Sequence, residues 1–151
     1  FGNGGDKSMQ SVSIFCRTLE VKLKTEPDVM DITTELNRSV KASEITTGIL
    51  SACMVGSTGS LTTIEYEPGV IEDLKAALNR LAPPDIEYAH EKAWHDGNGH
   101  SHVQAAMMSP SITLPVRNGV LKLGTWQQVV AVNHDNRPRN RSIEVTVTGT
   151  A

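Results

Sequence analysis

From Val12 to Leu23 apolar and polar residues alternate, with Val12, Ile14 and Cys16 on one parity and then Leu19, Val21 and Leu23 on the other. A period of two marks a half-buried strand, and the change of parity predicts a bulge or bend near Arg17. Glu26-Pro27-Asp28 supplies a stop and a helix start. Val29, Ile32, Leu36 and Val40 then recur at helical spacing through about Ser43. Ile45 to Val55 is apolar and β-branched enough for a buried strand, Gly56-Ser57-Thr58-Gly59 breaks it, and Ser60 to Tyr66 resumes as another. Pro68-Gly69 opens a second helix with Val70, Ile71, Leu74, Ala77, Leu78 and Leu81 on one stripe, ended by Pro83-Pro84. Val103 to Met108 predicts a short third helix stopped by Pro110. The remainder is strand-like: Ile112 to Val116, the hairpin turn Arg117-Asn118-Gly119, Leu121 to Val132, a polar turn from His134 to Arg141, and Ile143 to Val147. The pattern predicts an α+β fold, a mixed or antiparallel sheet with two to three helices.

At 151 residues the chain fits a single domain over 9–151. Phe1 to Ser8 are Gly-rich and polar without the apolar core of a signal peptide, and read as an expression remnant ahead of a natural start at Met9. A formal net charge of −3 argues against a general nucleic-acid or anionic-membrane binder. No apolar run reaches the roughly 18 to 20 residues that span a bilayer. Cys16 and Cys53 are too few and too far apart for a disulfide framework, which predicts a reduced, cytoplasmic setting with both thiols as small buried hydrophobes.

The chemistry concentrates in Trp94-His95-Asp96-Gly97-Asn98-Gly99-His100-Ser101-His102, where three of the five histidines fall within nine residues. His100 and His102 share a face if the segment is a strand but diverge by about 200° if it is a helix. Metal ligation by His100, His102 and Asp96, acid–base work by His100 and His102, and a structural role all stay open. Gly97-Asn98-Gly99 precedes a helix whose first N–H groups lack partners, which would suit a phosphate. Gly56-Ser57-Thr58-Gly59-Ser60 concentrates hydroxyls on permissive backbone but lacks the Lys of a nucleotide-hydrolysing loop. Glu65 and Glu67, two apart on a strand, would share a face as cation ligands, general bases or a solvated edge. Arg137 and Arg139, with Arg141, gather guanidiniums suited to phosphate or to a solvated turn, and Trp126 could stack on a heterocycle or pack in the core.

Five segments together resemble the YjbQ-like secondary thiamine-phosphate synthase family over nearly all of Met9 to Gly149. They are Gly56-Ser-Thr-Gly-Ser-Leu-Thr-Thr-Ile-Glu-Tyr-Glu-Pro-Gly69, Asp96-Gly-Asn-Gly-His-Ser-His102, Ser109-Pro-Ser-Ile-Thr-Leu-Pro115, Leu123-Gly-Thr-Trp-Gln-Gln128 and Asp135-Asn-Arg-Pro-Arg139. The resemblance implies a homotrimer, cytoplasmic, with its site near the histidines and a subunit boundary. His102, Asn98, Trp126 and Gln127 match the family's pattern, whereas Ser57-Thr58 stands where many members carry His-Thr. The implied activity is weak coupling of a pyrimidine methyl diphosphate to a thiazole phosphate, with release of pyrophosphate. His100, His102 and Glu65 would then be catalytic. Asn98, Gly99, Ser57, Thr58, Trp126, Gln127, Arg137 and Arg139 would bind the phosphorylated substrate, with a divalent metal, zinc or magnesium, as cofactor. Two alternatives stand beside it: a non-catalytic trimer that holds a metal or a phosphometabolite, and a metal-dependent hydrolase.

Overall fold

The computed structural model describes residues 10–25 and 27–151; the expected remnant, the start at Met9 and Glu26 lie outside them. In chain order the elements are β1 (Ser13–Leu23), β2 (Asp28–Asp31), α1 (Thr33–Ser43), β3 (Thr47–Val55), β4 (Gly59–Glu65), α2 (Pro68–Leu81), α3 (Glu91–Trp94), α4 (Gly99–Met108), β5 (Ser111–Arg117), β6 (Val120–Leu121), β7 (Gln127–Asn133) and β8 (Arg139–Thr150). A five-stranded sheet runs β1-β8-β3-β5-β6 and a three-stranded sheet β2-β7-β4. Every pairing is antiparallel.

The main core lies between the two sheets. Leu19 and Leu23, Leu50 and Met54, and Ile143, Val145 and Val147 meet Leu61, Val129 and Ala131, and α1 adds Leu36 and Val40. A smaller core on the other side of the three-stranded sheet joins Val130 and Val132 to Val29 and Ile71. Strand β7 is therefore buried on both faces, which is why Val129-Val130-Ala131-Val132 is a continuous apolar run and not an alternating one.

Five expectations change. Strand β1 pairs with β8 in unbroken register from Ser13↔Gly149 to Leu23↔Arg139, so there is no bulge near Arg17. The odd positions Leu19, Val21 and Leu23 face the core, and Ile14 on the other parity stays 71% exposed. Cys16 is exposed and Cys53 half-buried, both as free thiols, so neither is the buried hydrophobe expected. Val29 belongs to β2, where it pairs opposite Val132, and the helix begins only at Thr33, whose N–H donates to Asp31 Oδ1 at 2.9 Å. The stretch Leu121 to Val132 divides between the two sheets at Gly124-Thr125, and α3 was not foreseen.

Where β3 crosses β8, Gly48 faces Gly149 so closely that a Cβ on Gly48 would lie 2.0 Å from the Thr148 carbonyl oxygen. Backbone occupies that space and cannot rotate away. Gly48→Val should cost roughly 1–3 kcal/mol, lowering the melting temperature by roughly 3 to 10 °C for a chain of this size. A melting temperature equal to that of the native protein, by calorimetry, would contradict the close approach.

Candidate functional site

Strand β7 ends at the buried Asn133-His134-Asp135, and the polar groups there organise everything around them. Asp135, 1% exposed, accepts from Thr58 Oγ1 at 2.9 Å and from Arg139 Nε at 3.0 Å, with Arg141 Nη2 4.0 Å away. Burial pushes its carboxyl up, but donation from Thr58, Arg139 and Asn98 outweighs that and holds its pKa below the ordinary value. Arg141 donates to Thr58 Oγ1 at 2.5 Å and to Asn133 Oδ1 at 2.6 Å, while its Nε has no partner. Gly56 lies directly over this guanidinium. Its φ is +132°, and a Cβ there would come within 2.8 Å of Arg141 Nη1.

Beside Asp135, His134 is held between Ser60 and Gln104. The Gln104 amide nitrogen donates to the carbonyls of Leu78 and Ala82 at 3.3 and 3.0 Å and to Asn79 Oδ1 at 3.1 Å. Its Oε1 must therefore accept, and His134 Nδ1–H donates to it at 2.9 Å. His134 Nε2 is left as the acceptor for the Ser60 hydroxyl at 2.8 Å. Burial, with Arg141 and His100 nearby, lowers the His134 pKa to about 4, so the ring is neutral at pH 7.

Helix α4 separates two cavities. On one flank His100 and Gln104, one turn apart, face a cleft of about 360 Å³ walled also by Thr25, Asn79, His134 and Asp135. On the other, His102, Ala105 and Ala106 line a hollow of about 290 Å³ with Gly56, Ser57, Gly59 and Pro110. The helix begins at Gly99, earlier than predicted, so the two imidazoles take the helical alternative and diverge. Behind His102 stands His90, with ring centroids 4.6 Å apart, and His90 Nε2 lies 3.4 Å from Asp96 Oδ1. Burial pushes Asp96 up, but the Asn98 N–H and His90 hold it below the ordinary carboxyl range.

His100, His102 and Asp96 thus do not share one shell. Among the described residues no group of three or more His, Cys, Asp or Glu side chains is placed to hold a metal ion. Glu65 pairs with Gln127 at the far end of β4, six residues and about 20 Å along the strand from Gly59. It is not within reach of the histidines of its own chain. Trp126, predicted within a strand, precedes β7 and is 72% exposed; Gln127 bonds Thr63 Oγ1 and the Gly124 N–H. Thr58 and Asn98 are buried and spent on internal bonds, Asn98 Oδ1 accepting from the Ser101 hydroxyl and the Asn136 N–H. Gly99 is needed for packing, since a Cβ would meet Tyr88 at 2.5 Å. Arg137 is exposed, and Arg139 borders a shallow basic hollow with Lys22 and Lys24. Glu67 leaves the strand to cap α2, accepting from the N–H groups of Gly69 and Val70, which lower its pKa.

The phosphate expected at Gly97 to Gly99 meets a further obstacle. The Gly97 N–H already donates to Glu91 Oε2 at 2.9 Å and the Asn98 N–H to Asp96 Oδ1 at 3.1 Å. The chain supplies its own carboxylates there. Ser57 and His102 are the predicted residues that remain together on an open cavity. The pattern reading passed over Ser60, Gln104 and His134, although a polar residue at each end of an apolar strand and a Gln one turn after His100 were the available signals.

Comparison with known proteins bears on this geometry. The family model described as UPF0047 protein YjbQ-like matches residues 17–150. The chain belongs to this family. A UPF0047 protein of Methanothermobacter thermautotrophicus is 32% identical over 138 residues, covering 91% of this chain and 94% of the relative. A UPF0047 protein of Mycobacterium tuberculosis is 34% identical over 125 residues, 76% of this chain and 93% of the relative. The crystal structure of a YbjQ-like protein of unknown function from Sulfolobus solfataricus superimposes with a TM-score of 0.87 at 27% identity, over 92% of this chain and 99% of the other. An uncharacterised YjbQ/UPF0047 family protein from Clostridium acetobutylicum gives 0.80 at 29% identity, over 87% and 98%. The YjbQ-like fold is thus a single α+β unit with antiparallel sheets, and no helix among the described residues is long and apolar enough to cross a membrane.

Among the described groups of this YjbQ-like chain whose pKa values are depressed, His134 is shifted furthest and Asp135 is the most buried carboxylate, and protonation of either weakens the fold in acid. His134 has a folded pKa near 4 against 6.5 in the open chain, so the unfolded chain binds the extra proton between those values. Stability from His134 is complete above about pH 6.5 and is lost as pH falls toward 4, by on the order of 3 kcal/mol. Asp135, depressed below 3.8, keeps its contribution until the pH falls below that value. Urea unfolding from pH 7 to 4 should show stability falling with pH, with His100 adding to the slope, and His134→Phe should reduce that slope while lowering stability at pH 7 by about 2–4 kcal/mol through the stranded Ser60 and Gln104. An unchanged slope in the variant would assign the titration elsewhere.

Proposed function

We propose that this YjbQ-like protein acts on a small phosphorylated metabolite, holding the phosphate in the hollow between the Gly56-Ser57-Thr58-Gly59 loop and α4. The observation that carries this is the charge balance behind the loop. Two guanidiniums, Arg139 and Arg141, share the single buried carboxylate of Asp135, which leaves one positive charge uncompensated. Arg141 lies directly beneath Gly56 and within 3.4 Å of where a Cβ on Gly59 would sit. Both glycines line the hollow, and the absence of their Cβ atoms lets the Arg141 guanidinium, with Met54 beside Gly59, pack directly against the loop backbone. Ser57 offers a hydroxyl, and His102 is placed to give or take a proton at the bound group, with His90 and Asp96 behind it.

The finer reading is weak thiamine-phosphate synthase activity, in which a diphosphate leaving group would sit in this hollow and His102 would protonate the departing oxygen. The family resemblance supports it, and so does the excess cation. Any Mg²⁺ would enter on the diphosphate, since such ions commonly bind through substrate phosphates and not through an all-protein cage.

We further take the working form to be a cytoplasmic homotrimer. Ile14, Thr148, Ile49 and Pro115 form one row across the outer face of the five-stranded sheet, with Ile14 71% and Ile49 47% exposed, an apolar strip suited to a second copy. A trimer would also give Glu65, Trp126 and Gln127 of one copy a route to the histidines of another.

Calorimetry with inorganic pyrophosphate tests the binding, and thiamine-phosphate formation from the two phosphorylated halves tests the chemistry. Wild-type protein should bind pyrophosphate saturably. His102→Ala should weaken binding by about tenfold or more, as expected for a lost hydrogen bond to a charged group, with circular dichroism unchanged. Absence of pyrophosphate binding by the native protein would end the anion reading; binding without turnover would leave a phosphometabolite-binding protein.

A further inference from the structure

The cleft on the opposite flank of α4 has no part in the phosphate site, yet four polar side chains more than nine-tenths buried stand in its wall. They are His100, Gln104, His134 and Asp135, at 8%, 1%, 2% and 1% exposure. Burying polar groups at a cavity wall is costly unless something pairs with them. Counting the protons that these groups hold shows what is missing.

Gln104 gives its amide protons to Leu78, Asn79 and Ala82. His134 gives its Nδ1 proton to Gln104 and takes one from Ser60. Thr25 gives its hydroxyl proton to the Asp135 carbonyl at 2.5 Å, and Pro27 and Pro84 have no N–H to give. For His100 the tautomer follows from its neighbours. The Asn136 N–H donates to Asn98 Oδ1, which fixes that atom as the amide oxygen, so the Ser101 hydroxyl bonded to it must also be donating. Ser101 Oγ, 3.3 Å from His100 Nε2, can then only accept. The ring proton sits on Nε2, and Nδ1 is a bare lone pair without a partner. The Gly97 backbone and Asp135 beside the ring both favour an added proton, while burial resists it.

Of the wall's buried side-chain acceptors only His100 Nδ1 therefore has no partner, since Gln104 accepts from His134 Nδ1–H, His134 from Ser60, and the Asp135 carboxylate from Thr58, Arg139 and the Arg137 N–H. The wall's donors are spent. Asn79 is the exception: its amide oxygen accepts from Gln104, and its NH₂ is left for an acceptor on the ligand. We propose that this cleft is a second binding site, for a compact amino- or amidine-bearing molecule that donates an N–H to His100 Nδ1, the one buried acceptor of the wall left without a partner. A volume of about 360 Å³ admits a molecule of one or two rings. Anions are disfavoured there, so the two flanks of α4 select opposite charge.

Benzamidine, a flat cation rich in N–H donors, and benzoate, its acceptor-only counterpart, make a matched pair of probes. Benzamidine should bind saturably by calorimetry and shift the ring ¹⁵N signals of His100 in nitrogen NMR, whereas benzoate should do neither. His100→Phe should weaken benzamidine by about tenfold or more, in line with a hydrogen bond to a charged group. Pyrophosphate, the probe of the other hollow, should neither compete with benzamidine nor move the His100 signals, so that the two sites stand or fall separately. If His100→Phe does not fold, the wild-type ring signals decide. Equal binding of benzoate, a benzamidine response at His102 in place of His100, or no benzamidine binding would overturn the proposal.

Discussion

The buried carboxylate of Asp135 is the constraint on which the arrangement depends. A carboxylate at 1% exposure is tolerable only with several donors around it, and the chain supplies them from separate elements. Thr58 comes from the loop between β3 and β4, and Arg139 and Arg141 come from β8. The Asp135 carbonyl is bound by Thr25 from the β1–β2 connection, and Asn133, two residues away, takes Arg141 and donates to the Lys24 and Arg137 carbonyls. The glycine loop, the β7–β8 turn and the segment after β1 are thereby set relative to one another. Removing one partner strands a buried charge, a loss that typically reaches 3–5 kcal/mol.

That anchoring gives α4 its meaning. The helix is not strongly amphipathic, because it is covered on both sides: Gln104 is tied to the C-terminal end of α2, and Ala105 packs beside the glycine loop. His100 and His102, two residues apart, are consequently committed to different cavities. A sequence that looked like one cluster of metal ligands becomes two imidazoles with different surroundings. One is backed by His90 at a hollow bordered by Ser57; the other is walled in beside neutral His134.

Much of the fold was legible in the chain. Helix α2, the Asn118-Gly119 hairpin and strands β3, β4 and β5 follow from periodicity and turn chemistry, because burial on one face imposes the period directly. Where the reading failed, two faces were buried or two elements shared one stripe. Val29 fell in step with Ile32 and Leu36 although it serves the smaller core, and the apolar run ending at Asn133 hid the break at Gly124-Thr125. The site was legible as a neighbourhood but not as a geometry. Clustering of His, Asp and Gly along nine residues pointed to the helix that separates the two cavities, but only tertiary packing brings Arg141 under Gly56, or Ser60, Gln104 and His134 into one hydrogen-bonded line. Glu65 illustrates the limit: its chemistry suited the site, and strand register carried it to the opposite end of the sheet.

The same carboxylate bears on both of the proposed sites, which a single helix of about 10–12 Å diameter separates. On the side of the glycine loop, Arg139 and Arg141 both approach Asp135, and Arg141 lies against Gly56 and Gly59. On the cleft side no arginine lines the wall, and both buried histidines have depressed pKa values, so they add no charge at pH 7. The buried acceptor that the cleft wall leaves without a partner is His100 Nδ1. Were His134 protonated, it would have to give up accepting from Ser60 and would place a cation against Arg141. Its neutrality, which burial and the nearby Arg141 and His100 enforce, leaves Nε2 to accept from Ser60 and the Nδ1 proton to be given to Gln104.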